Sequence, residues 1–469
     1  MFYFHYLNGY CLFSSESLSL QIIKQPKLIF TVCLHIASTA IFSQNYADTY
    51  AGDGAGYEDG DTSVALFRKP VGMCADASGN IFIVEEGNHT VRKITPDGIV
   101  STLAGNGEAG YADGDATSAQ FNSPFDLCVD DDGNIYVSDF LNQRIRKISP
   151  EGVVSTIAGS GIAGYLDASG VSSQFNYPRG IVADDAGNIF VSDSWNHRIR
   201  KIDVSGEVTT FAGGGDVIGV SSVGAYIDAS DTTARFYTPC GLSIDEDNNI
   251  YVADAYNHRI RKINTAGLVI TVAGSGLSGS DTGGFLDGTV SDTRFNTPTE
   301  LYVHASGNIY VSDTYNNMIR LIDGETVSTI AGNLEPGYED GYDSLAAFRF
   351  PRGLYCDPEN EILFVNDYTN HAIRKIYLNA TVSAVQGENV NTGFSIYPNP
   401  ADEYLQIQLL VAPLSDATIS LYDVSGKLLT CNNITNEMNE IKVSHLPAGL
   451  YIIKLHSEKL TYTKQLMIL

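Results

Sequence analysis

The stretch FNSPFDLCVDDDGNIYVSDFLNQRIRKI, residues 121–148, contains three short strand patterns separated by turns, and close copies of it recur along the chain. The copies begin with Phe-x-x-Pro, at Phe67, Phe121, Phe175, Phe236, Phe295 and Phe348. In this stretch, Gly133-Asn134 opens the second strand, and a Gly-Asn pair tolerates the positive φ of a tight hairpin. Self-similarity at such a period is the signature of a repeat architecture.

Each copy also predicts a third and a fourth strand. The third strand reads Ile145-Arg-Lys-Ile148 and the fourth reads Val154-Ser-Thr-Ile-Ala-Gly159 in the second copy. Four short antiparallel strands make one propeller blade, and blades packed in a ring bury both faces of every sheet. The sequence therefore predicts an all-β fold, a six-bladed β-propeller with four-stranded antiparallel blades.

The fourth-strand pattern occurs seven times, once more than the six repeats need. Thr49-Tyr-Ala-Gly52 precedes the first full repeat, and Ser383-Ala-Val-Gln-Gly387 follows the last one. We expect the N-terminal copy to compete for, or add to, the outer edge of the sixth blade and so close the ring.

These repeats resemble NHL repeats. The shared pattern is Pro-x-Gly, an apolar run ending in Asp, then Gly-Asn-Ile-Tyr-Val-x-Asp and Asn-x-x-Ile-Arg-Lys-Ile, and it covers about residues 47–388. The resemblance implies a propeller with a binding role, and it implies no particular reaction.

A second domain is predicted at residues 396–469, after a linker at 389–395. It combines Tyr397-Pro-Asn-Pro400 with short strand patterns and Gly turns, which indicates a small β-sandwich. This tail resembles the type A C-terminal sorting domain of the type IX secretion system. The resemblance implies contact with the type IX machinery, export across a Gram-negative outer membrane, and release or attachment at the outer cell surface. An ordinary accessory sandwich is the alternative.

Residues 1–43 have the pattern of a signal peptide. Lys24 and Lys27 precede an apolar run at 28–42, which is short for a membrane span and suits a signal h-region. A buried strand or an uncleaved anchor is the alternative. Once the signal is cleaved, we expect no transmembrane segment and a protein that is secreted or held on the outer cell surface.

The formal net charge of -27 argues against nucleic acid as a partner, because phosphates would be repelled. Cys74 and Cys128 occupy the same position in neighbouring repeats. Equivalent positions in packed sheets lie roughly 10 Å apart, beyond the reach of a disulfide. We therefore expect them to be free, buried thiols.

Catalytic motifs are scarce, and we predict no catalytic residue, no metal ligand and no required cofactor. The alternative is an enzyme with a metal in the channel, a lyase or a lactonase-like hydrolase, as in propellers related to NHL proteins. His304 replaces an Asp of the other repeats, and with a ring of carboxylates it would suit calcium. His89, His197, His258 and His371 follow the repeat Asn and are interpreted as ordinary loop residues.

Departures from the repeat mark two candidate sites. Asp126 and Glu300 replace the Gly two residues after the repeat Pro, and Arg179 and Arg352 follow that Pro directly. One interpretation is two ion pairs, Asp126–Arg179 and Glu300–Arg352, and the other is a polar ligand site at the channel entrance.

The second candidate is aromatic. Trp195, Tyr256 and Tyr315 precede the repeat Asn in three consecutive copies, and long loops at 212–235 and 273–294 are predicted on the same face. Aromatic rings suit an extracellular glycan or a peptide or protein ligand. The alternative is that the rings only pack over neighbouring blades.

Overall fold

The computed structural model describes the six-sheet region in nearly every residue, together with parts of both ends of the chain. The described residues are 5–7, 10–12, 42–214, 226–275, 283–357, 359–382, 394–397, 404–409, 418–423, 427–433, 438–444, 446, 449–456 and 461–468. The chain forms two compact units, Met1–Ser43 with Thr381–Val390 and Gln44–Ala380 with Asn391–Leu469. Two short strands, His5–Leu7 and Tyr10–Leu12, pair in the first unit, and the rest of the predicted signal peptide up to residue 41 lies outside the described residues.

Residues 42–382 form six antiparallel sheets, here called sheets 1 to 6 in the chain order of their first strands. The first strands are Pro70–Ala75, Pro124–Val129, Pro178–Ala183, Pro239–Ile244, Glu300–Val303 and Pro351–Asp357. The second strands are Ile81–Glu85, Ile135–Asp139, Ile189–Asp193, Ile250–Asp254, Ile309–Asp313 and Ile362–Asp367. The third strands are Thr90–Ile94, Arg144–Ile148, Arg198–Ile202, Arg259–Ile263, Met318–Asp323 and Ala372–Val382. The fourth strands are Ile99–Ala104, Val153–Ala158, Glu207–Ala212, Val269–Ala273, Thr326–Gly332 and, in sheet 6, Phe42–Ala51.

Short elements complete the sheets. Two-residue strands lie outside the fourth strand in five sheets, at Gly60–Asp61, Gly114–Asp115, Ala168–Ser169, Gly288–Thr289 and Gly341–Tyr342. Single 3-10 turns join the second and third strands at Phe140–Asn142, Ser194–Asn196, Ala255–Asn257 and Thr314–Asn316, and others lie at Gly170–Ser172, Asp231–Thr233 and Asp343–Leu345.

The first strands of the six sheets contact one another in a circuit. Each first strand contacts the first strand of the next sheet, and the first strand of sheet 6 contacts that of sheet 1. The first strands therefore surround a common axis, and the later strands of each sheet lie farther from it. The predicted all-β propeller fold is confirmed.

The circuit closes through the N-terminal segment. Phe42–Ala51 lies between Ala372–Val382 and the short strand Gly341–Tyr342, with Tyr46 opposite Tyr342 and Ala47 opposite Gly341. Ala47 and Ala51 are buried in this strand. The N-terminal copy of the fourth-strand pattern thus completes sheet 6, as expected, whereas the C-terminal copy, from Ser383 to Gly387, lies outside the described residues.

A buried arginine recurs on the third strand of every sheet. In sheet 2, Arg146 donates to Asp139 at 2.7 Å and to Asp113 at 2.6 Å, and its guanidinium carbon lies 5.1 Å from the ring centre of Phe121. The six arginines, each fully buried, are Arg92, Arg146, Arg200, Arg261, Arg320 and Arg374. Each bonds one buried carboxylate of the second strand and one half-exposed aspartate of the loop before the repeat Phe. The sequence-based prediction missed this loop aspartate, although the recurring Gly-Tyr-x-Asp pattern at residues 56–59 and 110–113 could have revealed it.

The histidines that follow the repeat Asn join neighbouring sheets. His197 has φ 56°, and its Nδ1 accepts a hydrogen bond from the backbone N–H of Thr238 at 3.1 Å. His89, His258 and His371 accept equivalent bonds from the next sheet, and Gln143 and Asn317 do the same with their amide oxygens. This geometry supports the interpretation of these histidines as structural loop residues.

Replacing His89, His197 and His371 together by Gln is expected to make stability less dependent on pH. Burial lowers the pKa of all three imidazoles in the folded protein, so the unfolded chain takes up their protons first. Their contribution to stability is therefore present above the unfolded pKa of about 6.5 and is lost as pH falls through the lower folded values. Thermal melts at pH 7.5 and 5.5 should differ by roughly 2–4 °C less in the variant. The control is His304→Gln, at a hairpin turn. An unchanged pH dependence in the triple variant would contradict a role of these histidines in joining neighbouring sheets.

The tail forms two antiparallel sheets. One contains Phe394–Tyr397, Tyr404–Leu409 and Met438–Lys442, and the other contains Leu428–Asn433, Thr418–Asp423, Gly449–His456 and Thr461–Ile468. Leu405 and Ile407 are buried in the first sheet, and Ile419, Leu421 and Ile453 in the second. In Gly449–His456, Tyr451 and Ile453 are buried and Lys454 is exposed, which is the alternation expected of a strand with one face on a core.

Candidate functional site

A cavity of about 280 Å³ runs along the axis of the propeller. All six first strands contribute to its lining, with Cys74, Cys128, Val182, Ser243, Tyr302 and Tyr355 at one level. Asp126 and Glu300 are the charged residue types in the lining, and they lie at the end that leads toward the loops between second and third strands. The cavity is therefore a channel with two carboxyl groups near one end.

Both carboxyl groups are almost completely buried. Asp126 is 5% exposed and Glu300 is 7% exposed, and the backbone N–H of Ile181 donates to Asp126 Oδ2 at 3.0 Å. Burial raises the pKa of both groups, and the negative charge of Asp126 raises the pKa of Glu300 further. A side chain on Gly72 or Gly241 would collide with these carboxyl groups, which explains why Gly occupies this position in neighbouring sheets.

Arg179 and Arg352 do not pair with the carboxyl groups of the channel. No ion pair joins Asp126 to Arg179 or Glu300 to Arg352 among the described residues, so the prediction of those two ion pairs is wrong. Arg179 Nη1 instead lies 3.8 Å from Cys240 Sγ, and Arg352 Nη1 lies 3.8 Å from Glu86 Oε2. The reason is strand geometry, because the register of the first strands shifts between Pro124 and Leu127 and between Pro178 and Ile181, which changes the direction of the side chains there.

The two guanidinium groups lie close to the same aromatic ring. The guanidinium carbon of Arg179 is 5.2 Å from the ring centre of Phe125, and that of Arg352 is 5.5 Å from the same ring. Arg352 also lies 3.8 Å from the ring centre of Tyr368, whose O–H donates to Glu86 Oε2 at 2.6 Å. Glu86 and Tyr368 belong to loops between second and third strands. We call Phe125, Arg179, Arg352 and Tyr368 the channel mouth.

A row of aromatic rings leads from the channel mouth to the surface. Ring centres are separated by 5.8 Å between Phe125 and Phe140, by 4.8 Å between Phe140 and Tyr177, and by 4.6 Å between Tyr177 and Trp195. The rings are tilted or edge-on, as aromatic pairs prefer. Trp195 is 57% exposed at the end of this row.

The other two predicted aromatic residues follow along the same face. Tyr315 is 56% exposed and packs edge-on against Phe350 of sheet 6. Tyr256 is half-buried against Tyr237, and burial raises its pKa while the positive charge of Arg179 opposes the rise. Tyr256 and Tyr315 therefore both pack against a neighbouring ring and remain at least partly accessible. Loop residues 215–225 and 276–282, which belong to the two predicted long loops, lie outside the described residues.

His304 and the repeat aspartates that it replaces, such as Asp130, were considered above as calcium ligands, and the structure gives them another role. Asp130 Oδ1 accepts hydrogen bonds from the backbone N–H groups of Asp132 and Asn134, and His304 Nδ1 accepts the N–H of Ser306 in the same way. These side chains stabilise hairpin turns and do not line the channel. Across the part of the chain that the structure describes, no group of three or more His, Cys, Asp or Glu side chains is placed to hold a metal ion. The described cysteines, Cys74, Cys128, Cys240, Cys356 and Cys431, are free thiols.

Fold and site define a β-propeller with an aromatic face around its channel mouth, and comparison with known families narrows this class. Residues 395–469 match the secretion system C-terminal sorting domain, residues 58–276 match the SMP-30/gluconolactonase/LRE-like region, and residues 222–336 match the teneurin NHL domain. The chain thus combines an NHL-type propeller region with a C-terminal sorting domain of the type IX secretion system. This domain directs the protein to the type IX machinery and to release or attachment at the cell surface. In the described residues, no helix is long and apolar enough to cross a membrane.

Known proteins share the propeller region. The chain is 30% identical over 280 residues to Protein SUPPRESSOR OF QUENCHING 1, chloroplastic, of Arabidopsis thaliana, which covers 57% of this chain and 26% of that protein. It is 27% identical to NHL repeat-containing protein 2 of Gallus gallus, covering 64% of this chain and 45% of that protein. The chain thus spans between about a quarter and about half of these relatives. A solved structure described as an auxiliary nutrient binding protein from Bacteroides thetaiotaomicron has a TM-score of 0.54 at 17% identity, over 72% of this chain and 77% of that one.

Proposed function

We propose that this protein is a secreted binding protein whose propeller recognises an extracellular glycan or a peptide segment of a protein. The main support for this proposal is that more than half of the surface of Trp195 and of Tyr315 is exposed, at equivalent positions of sheets 3 and 5. Exposed aromatic rings that are held in place by neighbouring rings lose little conformational entropy on binding and offer flat apolar faces. The described function of the Bacteroides thetaiotaomicron protein agrees with this proposal. We also propose that residues 47–388 are the binding module and that residues 396–469 serve export.

A channel enzyme, a lyase or a lactonase-like hydrolase, is the second candidate. The match of residues 58–276 to the SMP-30/gluconolactonase/LRE-like region favours it. Asp126 and Glu300 supply the carboxyl groups in the channel that such chemistry could use. Turnover of a lactone or of a bound glycan, abolished in Asp126→Asn, would favour this candidate over a binding protein.

Changing Trp195, Tyr256 and Tyr315 to Ala is expected to weaken ligand binding roughly tenfold for each exposed ring removed, because central aromatic residues dominate binding energies. The measurement is binding of the purified full chain to glycan and peptide arrays, followed by affinity determination for the best member. Tyr57→Ala is the matched control, because Tyr57 is 46% exposed but belongs to the loop that carries Asp59, away from the channel mouth. Equal binding by the triple variant and the unmodified chain would refute the proposal.

A further inference from the structure

The channel mouth adds a charge requirement to the proposed ligand. We infer that the ligand is a glycan that carries a carboxylate, which the guanidinium groups of Arg179 and Arg352 bind while neighbouring sugar rings lie on the exposed aromatic residues. This inference rests on the proposed function and makes it more specific. It depends on four features: the pairing of the two arginines, their setting among aromatic rings, the net charge of the protein, and the spacing of the aromatic rings at the surface.

The two mouth arginines are half-buried, and they differ from the six repeat arginines in how they are paired. Every repeat arginine bonds two carboxylates, as Arg200 does at 2.7 and 2.5 Å. Arg179 has no carboxylate within 4 Å among the described residues, and its guanidinium contacts the sulfur of Cys240. Arg352 has a single carboxylate neighbour, Glu86, at 3.8 Å, which is long for a charge-assisted hydrogen bond.

The setting of the arginines keeps their binding groups available. Among the described residues, the guanidinium group of Arg179 donates to no oxygen atom, and that of Arg352 has only the 3.8 Å contact with Glu86, so the terminal nitrogens of both keep capacity for a ligand. Both guanidinium carbons lie within 5.5 Å of the ring centre of Phe125, so the two positive charges are neighbours at the mouth. A guanidinium in an aromatic setting binds a carboxylate through two parallel N–H···O bonds, and low solvent exposure strengthens those bonds.

The charge of the protein limits the ligand to few acidic groups. A net charge of -27 repels a chain that is acidic at every unit. One carboxylated sugar in the mouth, followed by neutral sugars, would pair with the arginines and add little further negative charge for the acidic protein to repel.

The exposed rings favour a glycan over a peptide. Trp195, Tyr256 and Tyr315 occupy the same position in three consecutive sheets, so they recur at the regular spacing of the propeller. A polymer of like rings can match a regular series of aromatic contacts, whereas a peptide needs an apolar side chain at each matching point. The row Phe125, Phe140, Tyr177 and Trp195 connects this series with the channel mouth.

The test is binding of the full chain to an array of paired oligosaccharides, in which each glycan ending in glucuronic acid has a partner ending in glucose. Peptides with a free or an amidated C-terminus and glycans ending in a sulfated sugar are printed beside them. We expect each bound glucuronic acid member to bind at least about tenfold more tightly than its glucose partner. Arg179→Gln and Arg352→Gln should each reduce this preference to about twofold or less. Arg294→Gln, an exposed arginine outside the mouth, is the control for net charge and should keep the preference.

The outcomes separate the inference from the proposed function. Equal binding of paired glycans, together with loss of binding in Trp195→Ala, overturns the carboxylate inference and leaves the binding function standing. A preference that survives both arginine changes, or stronger binding of sulfated members or of peptides with a free C-terminus, overturns the inference as well. An array on which neither glycans nor peptides bind overturns both. Retained melting temperatures of the variants show that any loss of binding does not come from unfolding.

Discussion

Ala47→Asp is expected to lower the free energy of unfolding by about 3–5 kcal/mol, because it places an unpaired carboxylate in the core beside the strand that closes the propeller. Ala47 is fully buried and lies opposite Gly341 in sheet 6. Its neighbours in the same apolar cluster include Phe348 and Ile330. Chemical denaturation of the full chain, followed by far-ultraviolet circular dichroism, measures the change.

Ser328→Asp is the control for the added charge. Ser328 lies on the fourth strand of sheet 5, the strand that corresponds to Phe42–Ala51, but its side chain is exposed. The control should change stability by less than about 0.5 kcal/mol. If Ala47→Asp were equally harmless, the N-terminal strand would not hold the ring closed.

Arg200→Met is expected to cost about 3–5 kcal/mol as well, because it leaves the buried carboxylate of Asp193 without its cation. Both side chains are fully buried, and Arg200 also donates to the backbone carbonyls of Gln174 and Leu166. Burial raises the pKa of Asp193 even though Arg200 opposes the rise, so the ion pair does not fully offset the cost of burying the carboxylate.

The double variant Asp193→Asn, Arg200→Met separates the charge effect from packing. Asparagine keeps an oxygen that can accept the N–H of Asn176, which Asp193 accepts at 2.7 Å, and it removes the uncompensated charge. We expect the double variant to recover about half of the stability that Arg200→Met loses. A double variant that is less stable than the single one would show that the network acts through packing and hydrogen bonds instead of charge.

The fold was predictable because local sequence motifs define the strands and turns of each repeat. Phe-x-x-Pro, the Gly-Asn turns and the Ile-Arg-Lys-Ile strands fix the four strands of each sheet locally, and repetition supplies their neighbours. The closure by Thr49–Gly52 was also predictable, since that segment repeats the fourth-strand pattern. The role of the loop aspartates was not, because Asp113 and Arg146 are separated by 33 residues and meet only after the sheet has formed.

The candidate site was predictable in its residues but not in its arrangement. Asp126 and Arg179 were paired from their positions next to the repeat Pro, yet the structure places one in the channel and the other at the mouth. A shift of register between Pro124 and Leu127 changes the direction of side chains there, and the sequence alone does not show such a bulge. Phe125, Phe140 and Tyr368 were missed because only their contacts with Arg179 and Arg352 set them apart from ordinary apolar residues.

Trp195 is the one tryptophan of the chain, so its fluorescence reports directly on the proposed binding face. The most direct test is to titrate the full chain with the best-bound oligosaccharide or peptide of the array and to record tryptophan emission. We expect a blue shift or a change in intensity that saturates at the affinity measured on the array, because a bound ligand removes water from the exposed indole. Saturable binding with an unchanged emission spectrum would contradict recognition at this face.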